Sequence, residues 1–252
     1  MRFSLVNLLL CYFSPTSFVQ AEDNRPSNNL RRKLDDSSSE EEEQQRIWVK
    51  YRPNMRAHFQ SKLRQRSSRT KILYDFEDLG AYVISVPKND VKALRMDTSV
   101  QSIHFDPKRY TMHIPESVKR ANSRNLQDTI RDGEQTIPYG INMVQAPQAW
   151  EMGATGENVK VCVVDTGVAD HPDLVDVVGP NTPLPFAQDG VGHGTHCAGT
   201  IAAADNPFGV VGVAPDAEII SVKVFSDSGT YAYSSGILSA ARKCAELNAT
   251  VI

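Results

Sequence analysis

The chain has 252 residues, which is enough for about two domains of ordinary size. Its 27 Lys and Arg residues against 30 Asp and Glu residues give a formal net charge of −3, so we expect no nucleic-acid partner. Hydrophobic residues make up 40% of the chain, enough to form a packed core.

The N-terminus has the pattern of a secretory signal peptide. Arg2 supplies a positive charge, an apolar stretch runs from Phe3 to Phe13, and Val19-Gln20-Ala21 offers small residues at a cleavage site. The apolar stretch is too short to span a bilayer and is interrupted by Asn7. We therefore expect residues 1–21 to be removed and the protein to be secreted, without a membrane association after cleavage.

Residues 22–45 are polar and include an acidic run from Glu40 to Glu43. Such a segment cannot bury enough apolar surface to order itself, which predicts a solvated spacer.

Residues 46–105 alternate between strand and helix patterns. Strands are predicted at 47–51, 71–76, 81–86 and 100–105, with helices behind Pro53 and Pro87. The resulting β-α-β-β-α-β order is that of ferredoxin-like domains. Residues 106–134 are rich in polar residues and contain Lys119-Arg120, which indicates an exposed linker open to proteolysis.

Residues 135–252 have the alternating strand and helix pattern of an α/β domain with a parallel sheet. The predicted elements are a short helix ending before Gly153, strands at 159–164 and within 218–225, helices at 192–204 and 234–248, and a third strand beginning at 249. In such a sheet, functional groups gather at the carboxyl ends of the strands.

Two residues of this region have the positions expected of catalytic groups. Asp165 directly follows the apolar strand, and His193 begins a helix of small residues that can pack closely on the sheet. Asp165-Thr166-Gly167 by itself is weak evidence, because Asp and Gly are also turn residues. The same tripeptide occurs in aspartic proteases, but those need two such loops and this chain has one.

These segments resemble the subtilisin-like serine proteases. The aspartate region is matched by residues 163–167 and 171–174, and the histidine region by Gly192-His193-Gly194-Thr195-His196-Cys197-Ala198-Gly199-Thr200. Residues 135–141 resemble the start of the mature chain and 209–215 the stretch after the histidine helix. Residues 46–105 resemble the inhibitory propeptide domain of that family.

The resemblance implies a secreted endopeptidase zymogen whose substrates are proteins or peptides and whose own propeptide inhibits it. Asp165 would orient His193, and His193 would be the general base in the order Asp, His, Ser. The family nucleophile lies in a Gly-Thr-Ser-Met-Ala segment, which these 252 residues do not contain. Ser234 and Ser235 stand in the wrong context, so we expect these 252 residues to be inactive by themselves.

The resemblance also implies two binding sites. Ser228, Gly229 and Thr230 align with the strand that pairs with extended peptide substrates. A Ca²⁺ site is expected from oxygen ligands of both side chains and backbone. Its predicted members are Gln135, Asp173 and Asn206 through their side chains and Ala204, Phe208 and Val210 through their carbonyl oxygens.

Several alternatives remain open from the residues alone. Cys197 shares a helix face with His193, which would suit a Cys–His protease, and His193, His196 and Asp165 could hold a metal. A non-enzymatic inhibitor or folding helper acting through residues 46–105 is a further possibility. Cys162, Cys197 and Cys244 remain after loss of Cys11, and this odd number leaves their pairing undecided.

Overall fold

The computed structural model describes residues 43–66, 69–111, 134–180, 187–227 and 231–252. The predicted signal peptide, nearly all of the acidic spacer, Lys119-Arg120 and the predicted substrate strand 228–230 lie outside these residues. The described residues form two compact units. One comprises residues up to Leu73 together with Glu77–Ile103, and the other comprises Tyr74–Phe76 and His104–Ile252.

The first unit is built on a four-stranded sheet with the strand order β2-β3-β1-β4. Its elements are β1 (Gln44–Tyr51), α1 (Arg56–Gln65), β2 (Lys71–Phe76), β3 (Ala81–Pro87), α2 (Val91–Arg95) and β4 (Val100–Phe105). Strands β1 and β3 pair antiparallel. Strand β1 begins at Gln44 and so includes the last two residues of the predicted spacer, and Lys88 Nζ lies 3.1 Å from the Glu43 carboxylate at this end of the sheet.

One apolar core holds this sheet and its helices together. Phe59 and Leu63, one turn apart on α1, are both buried, and the ring of Phe59 lies 6.0 Å from that of Tyr82 on β3. Burying side chains of this size stabilises the fold by about 1.5–3 kcal/mol each. The remaining members are Ile47, Val49, Tyr51, Ile84, Val86, Val91, Leu94, Val100 and Ile103.

The second unit contains a three-stranded parallel sheet with the order β6-β8-β7. Its elements are β5 (Lys108–Tyr110), α3 (Tyr139–Met143), α4 (Ala146–Glu151), β6 (Lys160–Asp165), β7 (Val177–Val178), α5 (His193–Ala202), β8 (Glu218–Lys223), β9 (Tyr231–Tyr233) and α6 (Ser234–Glu246). The predicted third strand at the end of the chain is represented by a single parallel bridge, Val161 to Val251.

Strand β6 is covered on both faces, as its apolar sequence predicts. Val163 lies in a cluster with Ala198 and Ala202 of α5, while Cys162 lies in a cluster with Ala240 and Cys244 of α6. Because neighbouring strand residues point to opposite faces, the two helices pack on opposite sides of the sheet. Asp165 is consequently placed at the carboxyl end of a strand that is fixed from both sides.

The structure resolves the cysteine pairing that the sequence left undecided. Cys162 and Cys244 form a disulfide between β6 and α6 across 82 residues of sequence, and Cys197 is a partly buried cysteine outside this bridge.

The beginning of the predicted linker is a strand. Residues Lys108–Tyr110 form β5, which pairs antiparallel with β9 in a separate two-stranded sheet. A polar, exposed strand of three residues has too little periodicity to be found from sequence. Within the described ranges, none of the helices has both the length and the apolar character needed to cross a membrane.

Candidate active site

The centre of the site is a short contact between the two residues that the sequence singles out. The Nδ1 atom of His193 lies 2.8 Å from each carboxylate oxygen of Asp165. Both side chains are partly buried, with 21% of His193 and 14% of Asp165 exposed. A ring nitrogen that faces a carboxylate acts as the donor, so the proton of the neutral imidazole resides on Nδ1 and Nε2 is left as the base.

Close backbone packing brings the aspartate turn and the histidine helix together. A Cβ atom added at Gly194 would lie 3.2 Å from the Asp165 Cβ and would overlap the carbonyl oxygen of Gly167. Gly167 has φ +97°, a conformation that L side chains rarely adopt, and it too has no room for a Cβ, because the carbonyl oxygen of Gln188 occupies that position. The glycines therefore set how near α5 can approach the end of β6.

A network of hydroxyl and carboxylate groups surrounds this contact. The buried Thr166 donates its hydroxyl to Asp189 at 2.8 Å and accepts a hydrogen bond from the backbone N–H of Gly194 at 2.9 Å. Thr195 donates its hydroxyl to the same carboxylate at 2.6 Å. Partial burial raises the pKa of Asp189, but hydrogen bonds from Thr195, Thr166 and Gly192 outweigh burial and hold it below its ordinary value.

A buried cation, the ammonium of Lys223, also contacts the aspartate turn. Lys223 pairs with Asp165 in the register of the parallel sheet, and its ammonium donates to the carbonyl oxygens of Thr166 and Gln188 and to the Asp227 carboxylate. The hydrogen bond from Lys223 lowers the pKa of Asp227.

Sequence reasoning missed both Asp189 and Lys223. The sequence does contain a signal for Lys223, because a lysine at the end of an apolar strand is stable there only if its charge has a buried partner. Asp189 had none, because an Asp next to Gly190 in a polar loop looks like an ordinary turn residue.

The alternative roles of Cys197 and His196 can be compared with this geometry. Cys197 Sγ lies 3.8 Å from His193 Nδ1, but that nitrogen already contacts Asp165 at 2.8 Å. One Asp165 oxygen, one His193 nitrogen and Cys197 Sγ all lie within 4.8 Å of one another, which is compatible with a metal ion. His196 is exposed and does not belong to this group.

The predicted calcium ligands gather in one place. Gln135 Nε2 donates to the carbonyl oxygens of Ala204 at 2.8 Å and Val210 at 3.4 Å. Asp173, only 3% exposed, accepts from Asn206 Nδ2 at 2.7 Å and from the Val210 N–H at 3.0 Å. The backbone N–H of Phe208 closes the loop by donating to the Asn206 side chain.

Comparison with known proteins agrees with this geometry. Residues 156–252 match the family model described as the subtilase family of peptidases. The chain is 40% identical over 168 residues to an alkaline protease of Alkalihalobacillus alcalophilus, covering 66% of this chain and 38% of that protein. It is 53% identical over 104 residues to subtilisin Savinase of Lederbergia lenta, covering 40% of this chain and 38% of that protein.

A solved structure is also similar. Fervidolysin from Fervidobacterium pennivorans, described as a keratinolytic enzyme related to subtilisin, matches with a TM-score of 0.55 at 26% identity. The match covers 85% of this chain and 36% of that one. The chain thus spans 38% of the length of the two curated relatives and 36% of the solved structure. These matches, together with the Asp165–His193 contact, show that residues 156–252 are similar to the subtilase family of subtilisin-like serine proteases.

Proposed function

We propose that this chain supplies the aspartate and the histidine of a secreted serine endopeptidase made as a zymogen. The observation that carries the proposal is the 2.8 Å separation between His193 Nδ1 and both oxygens of Asp165. In this arrangement Asp165 holds the imidazole in one tautomer and stabilises the imidazolium that forms during the reaction.

The remaining triad member is a serine in sequence that follows Ile252. His193 Nε2 takes the hydroxyl proton as the serine oxygen attacks the carbonyl carbon of the peptide bond, and later gives it to the leaving amine nitrogen. These 252 residues contain no Gly-Thr-Ser-Met-Ala segment, so we expect them to show no triad-based hydrolysis by themselves.

Reading the transcript across the codon for Ile252 tests this function. We expect an Asn-bearing strand and a Gly-Thr-Ser-Met-Ala helix to follow, and the longer protein to hydrolyse casein. His193→Ala should lower kcat by at least about 10⁴-fold. His196→Ala, three residues along the same helix, should retain activity because His196 is exposed and lies outside the contact. A stop codon with no serine segment in any frame or exon contradicts the proposal.

Residues 46–105 are the propeptide domain of this zymogen, with the ferredoxin-like order of elements. Support comes from the segment that follows it, because β5 pairs antiparallel with β9, directly after the predicted substrate strand 228–230. Extended peptides bind proteases by adding a strand to an exposed edge. A propeptide segment that pairs with β9 would compete with substrates for the adjoining predicted substrate strand.

Asp106 adds a second link between these segments. Its carboxylate, 5% exposed, accepts hydrogen bonds from the backbone N–H of Ser235 at 3.0 Å and from the Ser235 hydroxyl at 2.5 Å. Asp106 therefore caps the first turn of α6. Tyr233, at the N-cap position of this helix, makes no capping hydrogen bond with its side chain.

An inhibition assay separates the propeptide role from a purely structural one. A polypeptide of residues 46–114 should inhibit the activated protease, and one ending at Phe105 should inhibit more weakly because it lacks Asp106 and β5. If neither inhibits, the propeptide assignment is wrong. Inhibition of a related protease by a product that is never extended past Ile252 would favour the alternative, a non-enzymatic inhibitor or folding helper.

The loop around Asp173 is proposed to bind Ca²⁺. Two carbonyl oxygens converge on Gln135, and the Asp173 carboxylate is buried beside Asn206, so the donor set is oxygen-rich and of mixed type. Rotating the terminal amides of Gln135 and Asn206 by half a turn would present their oxygens in place of their N–H groups. A bound ion would tie residue 135 to the loops at 173 and 204–210 and so stabilise the fold.

Calcium titration with the melting temperature as the readout tests this site. Chelation by EDTA should lower the melting temperature, and Asn206→Ala should remove the calcium dependence. Asp205→Asn is the matched control, since Asp205 is exposed and adjacent. A melting temperature that calcium does not change would contradict the site.

Secretion is proposed from the N-terminal pattern and supported by the Cys162–Cys244 disulfide, because such bonds persist mainly in oxidising compartments. Sequencing the N-terminus of the exported precursor should show cleavage after Ala21. An uncleaved protein retained in the cytosol would contradict this assignment.

A further inference from the structure

Asp189 lies in a loop, yet its carboxylate accepts five hydrogen bonds. Its Oδ1 atom accepts from the Thr166 hydroxyl at 2.8 Å and from the backbone N–H groups of Val191 and Gly192 at 3.1 and 2.7 Å. Its Oδ2 atom accepts from the N–H and the hydroxyl of Thr195 at 2.9 and 2.6 Å. Both oxygens are thus used, and by donors from two separate segments.

These donors are close neighbours in sequence of Asp165 and His193. Thr166 is the residue after Asp165, whereas Gly192 and Thr195 stand directly before and two residues after His193. The carboxylate is therefore bonded at once to the end of β6 and to the first turn of α5, although these segments are 28 residues apart in sequence.

The two threonines extend this link in both directions. The Thr166 hydroxyl, besides donating to Asp189, accepts from the Gly194 N–H at 2.9 Å. The Thr195 hydroxyl, besides donating to Asp189, accepts from the Ala169 N–H at 2.9 Å. Each hydroxyl proton points toward the carboxylate, so removal of the negative charge would free both hydroxyls to reorient.

Asp189 also replaces a missing helix cap. The N-cap position of α5 is Gly192, with φ +86°, which has no side chain to bond the first N–H groups. Asp189 accepts the N–H of Thr195 instead, and its negative charge lies at the positive end of the helix. An amide at position 189 would provide one acceptor oxygen and would direct its NH₂ group toward other donors.

We propose that Asp189 is the positioning residue of the Asp165–His193 pair, holding the histidine helix and the aspartate turn at the separation that the Nδ1–carboxylate hydrogen bond requires. It acts through the hydrogen bonds that it accepts from Thr166 and Thr195 and from the backbone N–H groups of Val191 and Gly192. This inference rests on the proposed function, because the pair is catalytic only within a complete triad. A displacement of about 1 Å between reacting groups costs on the order of 10²-fold in rate.

The tautomer of His193 reports this positioning directly and does not require the serine. In the 252-residue chain labelled with ¹⁵N-histidine, the ring nitrogen shifts of neutral His193 should show the proton on Nδ1. Comparison with His193→Gln identifies the His193 signals among those of the six histidines. Asp189→Asn should lose this Nδ1–H signature in favour of Nε2–H, while Asp189→Glu should restore part of it.

Two controls keep this experiment decisive. Asp216→Asn removes an exposed carboxylate elsewhere in the same unit and should leave the tautomer unchanged. Should Asp189→Asn fail to fold, Thr195→Val, which removes only one hydroxyl from the network, is expected to give a smaller shift in the same direction.

Failure of the two proposals can be told apart. An unchanged tautomer in folded Asp189→Asn, or in Thr195→Val when Asp189→Asn does not fold, overturns the positioning role. So does a wild-type chain without the Nδ1–H signature. Absence of hydrolysis by the longer protein overturns the proposed function and leaves the tautomer result intact.

Discussion

Lys223 donates its ammonium to the carbonyl oxygen of Thr166, the residue that follows Asp165. Only 2% of the Lys223 side chain is exposed, and its other partners are the Gln188 carbonyl at 2.8 Å and the Asp227 carboxylate at 2.6 Å. A buried ammonium is stable only when its donors are satisfied, and here all three are. The charge thus ties the aspartate turn to the loops at 188 and 227.

Replacing Lys223 with Met tests this tie. Met keeps most of the aliphatic length but removes the ammonium donor from two carbonyl oxygens, and it leaves the Asp227 carboxylate with the Gly190 N–H. We expect the free energy of unfolding, measured in urea, to fall by about 2 kcal/mol. Lys243→Met removes the exposed ion pair to Glu246 and should cost less than about 0.5 kcal/mol. Equal losses of unfolding free energy in the two variants would show that the buried contacts of Lys223 add no stability beyond that of an exposed ion pair.

Gly194 and Gly199 form a matched pair within α5. A Cβ at Gly194 overlaps the Gly167 carbonyl oxygen, whereas a Cβ at Gly199 meets nothing within 4 Å. Gly194→Ala should therefore destabilise the unit by about 1–3 kcal/mol and separate His193 from Asp165. Gly199→Ala should be neutral or stabilising by up to about 1 kcal/mol, since Ala favours helix over Gly. Urea denaturation of both variants measures the difference, and a neutral Gly194→Ala would refute the close approach.

The disulfide between Cys162 and Cys244 closes a segment of 82 residues. Replacing both cysteines with Ala should lower the free energy of unfolding by about 4 kcal/mol, because the unfolded chain regains the entropy of the open loop. Cys197→Ala, which leaves the bridge in place, should change stability far less. Alkylation mapped by mass spectrometry should label Cys197 in the native protein and the other two only after reduction. Labelling of Cys162 without reductant would contradict the pairing.

The pH dependence of the first unit should follow Asp97. Burial raises its pKa, but hydrogen bonds from Ser99 and Lys62 outweigh burial and lower the pKa to about 2 from 3.8. A carboxylate with a lowered pKa stabilises the fold fully above its unfolded pKa, and this stabilisation is lost as pH falls through the folded value. Stability should therefore decline between about pH 4 and pH 2, by up to about 2 kcal/mol.

Hydrogen exchange of the β1 and β3 amides measures this stability within the unit. Asp97→Asn should lower protection at neutral pH and flatten the decline at acid pH. Asp78→Asn, at an exposed position of the same unit, should leave the decline unchanged. A steep acid decline that persists in Asp97→Asn would assign the effect to other carboxylates.

Local pattern predicts most elements of this protein. The observed β2 and β4 have the predicted bounds, and α1, α5 and α6 lie where helical spacing and small residues indicated. These elements follow from periodic burial within a few residues of sequence. The short strands β5, β7 and β9 have two or three residues each and no such periodicity, so only their partners in space define them.

By itself, the sequence determined that Asp165 ends a buried strand and that His193 begins a small-residue helix. Only the tertiary structure shows that the Asp165 and His193 side chains lie 2.8 Å apart, that Asp189 and Lys223 both bond to Thr166, and that Cys162 pairs with Cys244. The difference has a physical cause: strand and helix patterns arise from near neighbours, whereas each of these contacts joins residues at least 23 positions apart. Which distant groups meet depends on how the sheet pairs and how closely the helices pack against it.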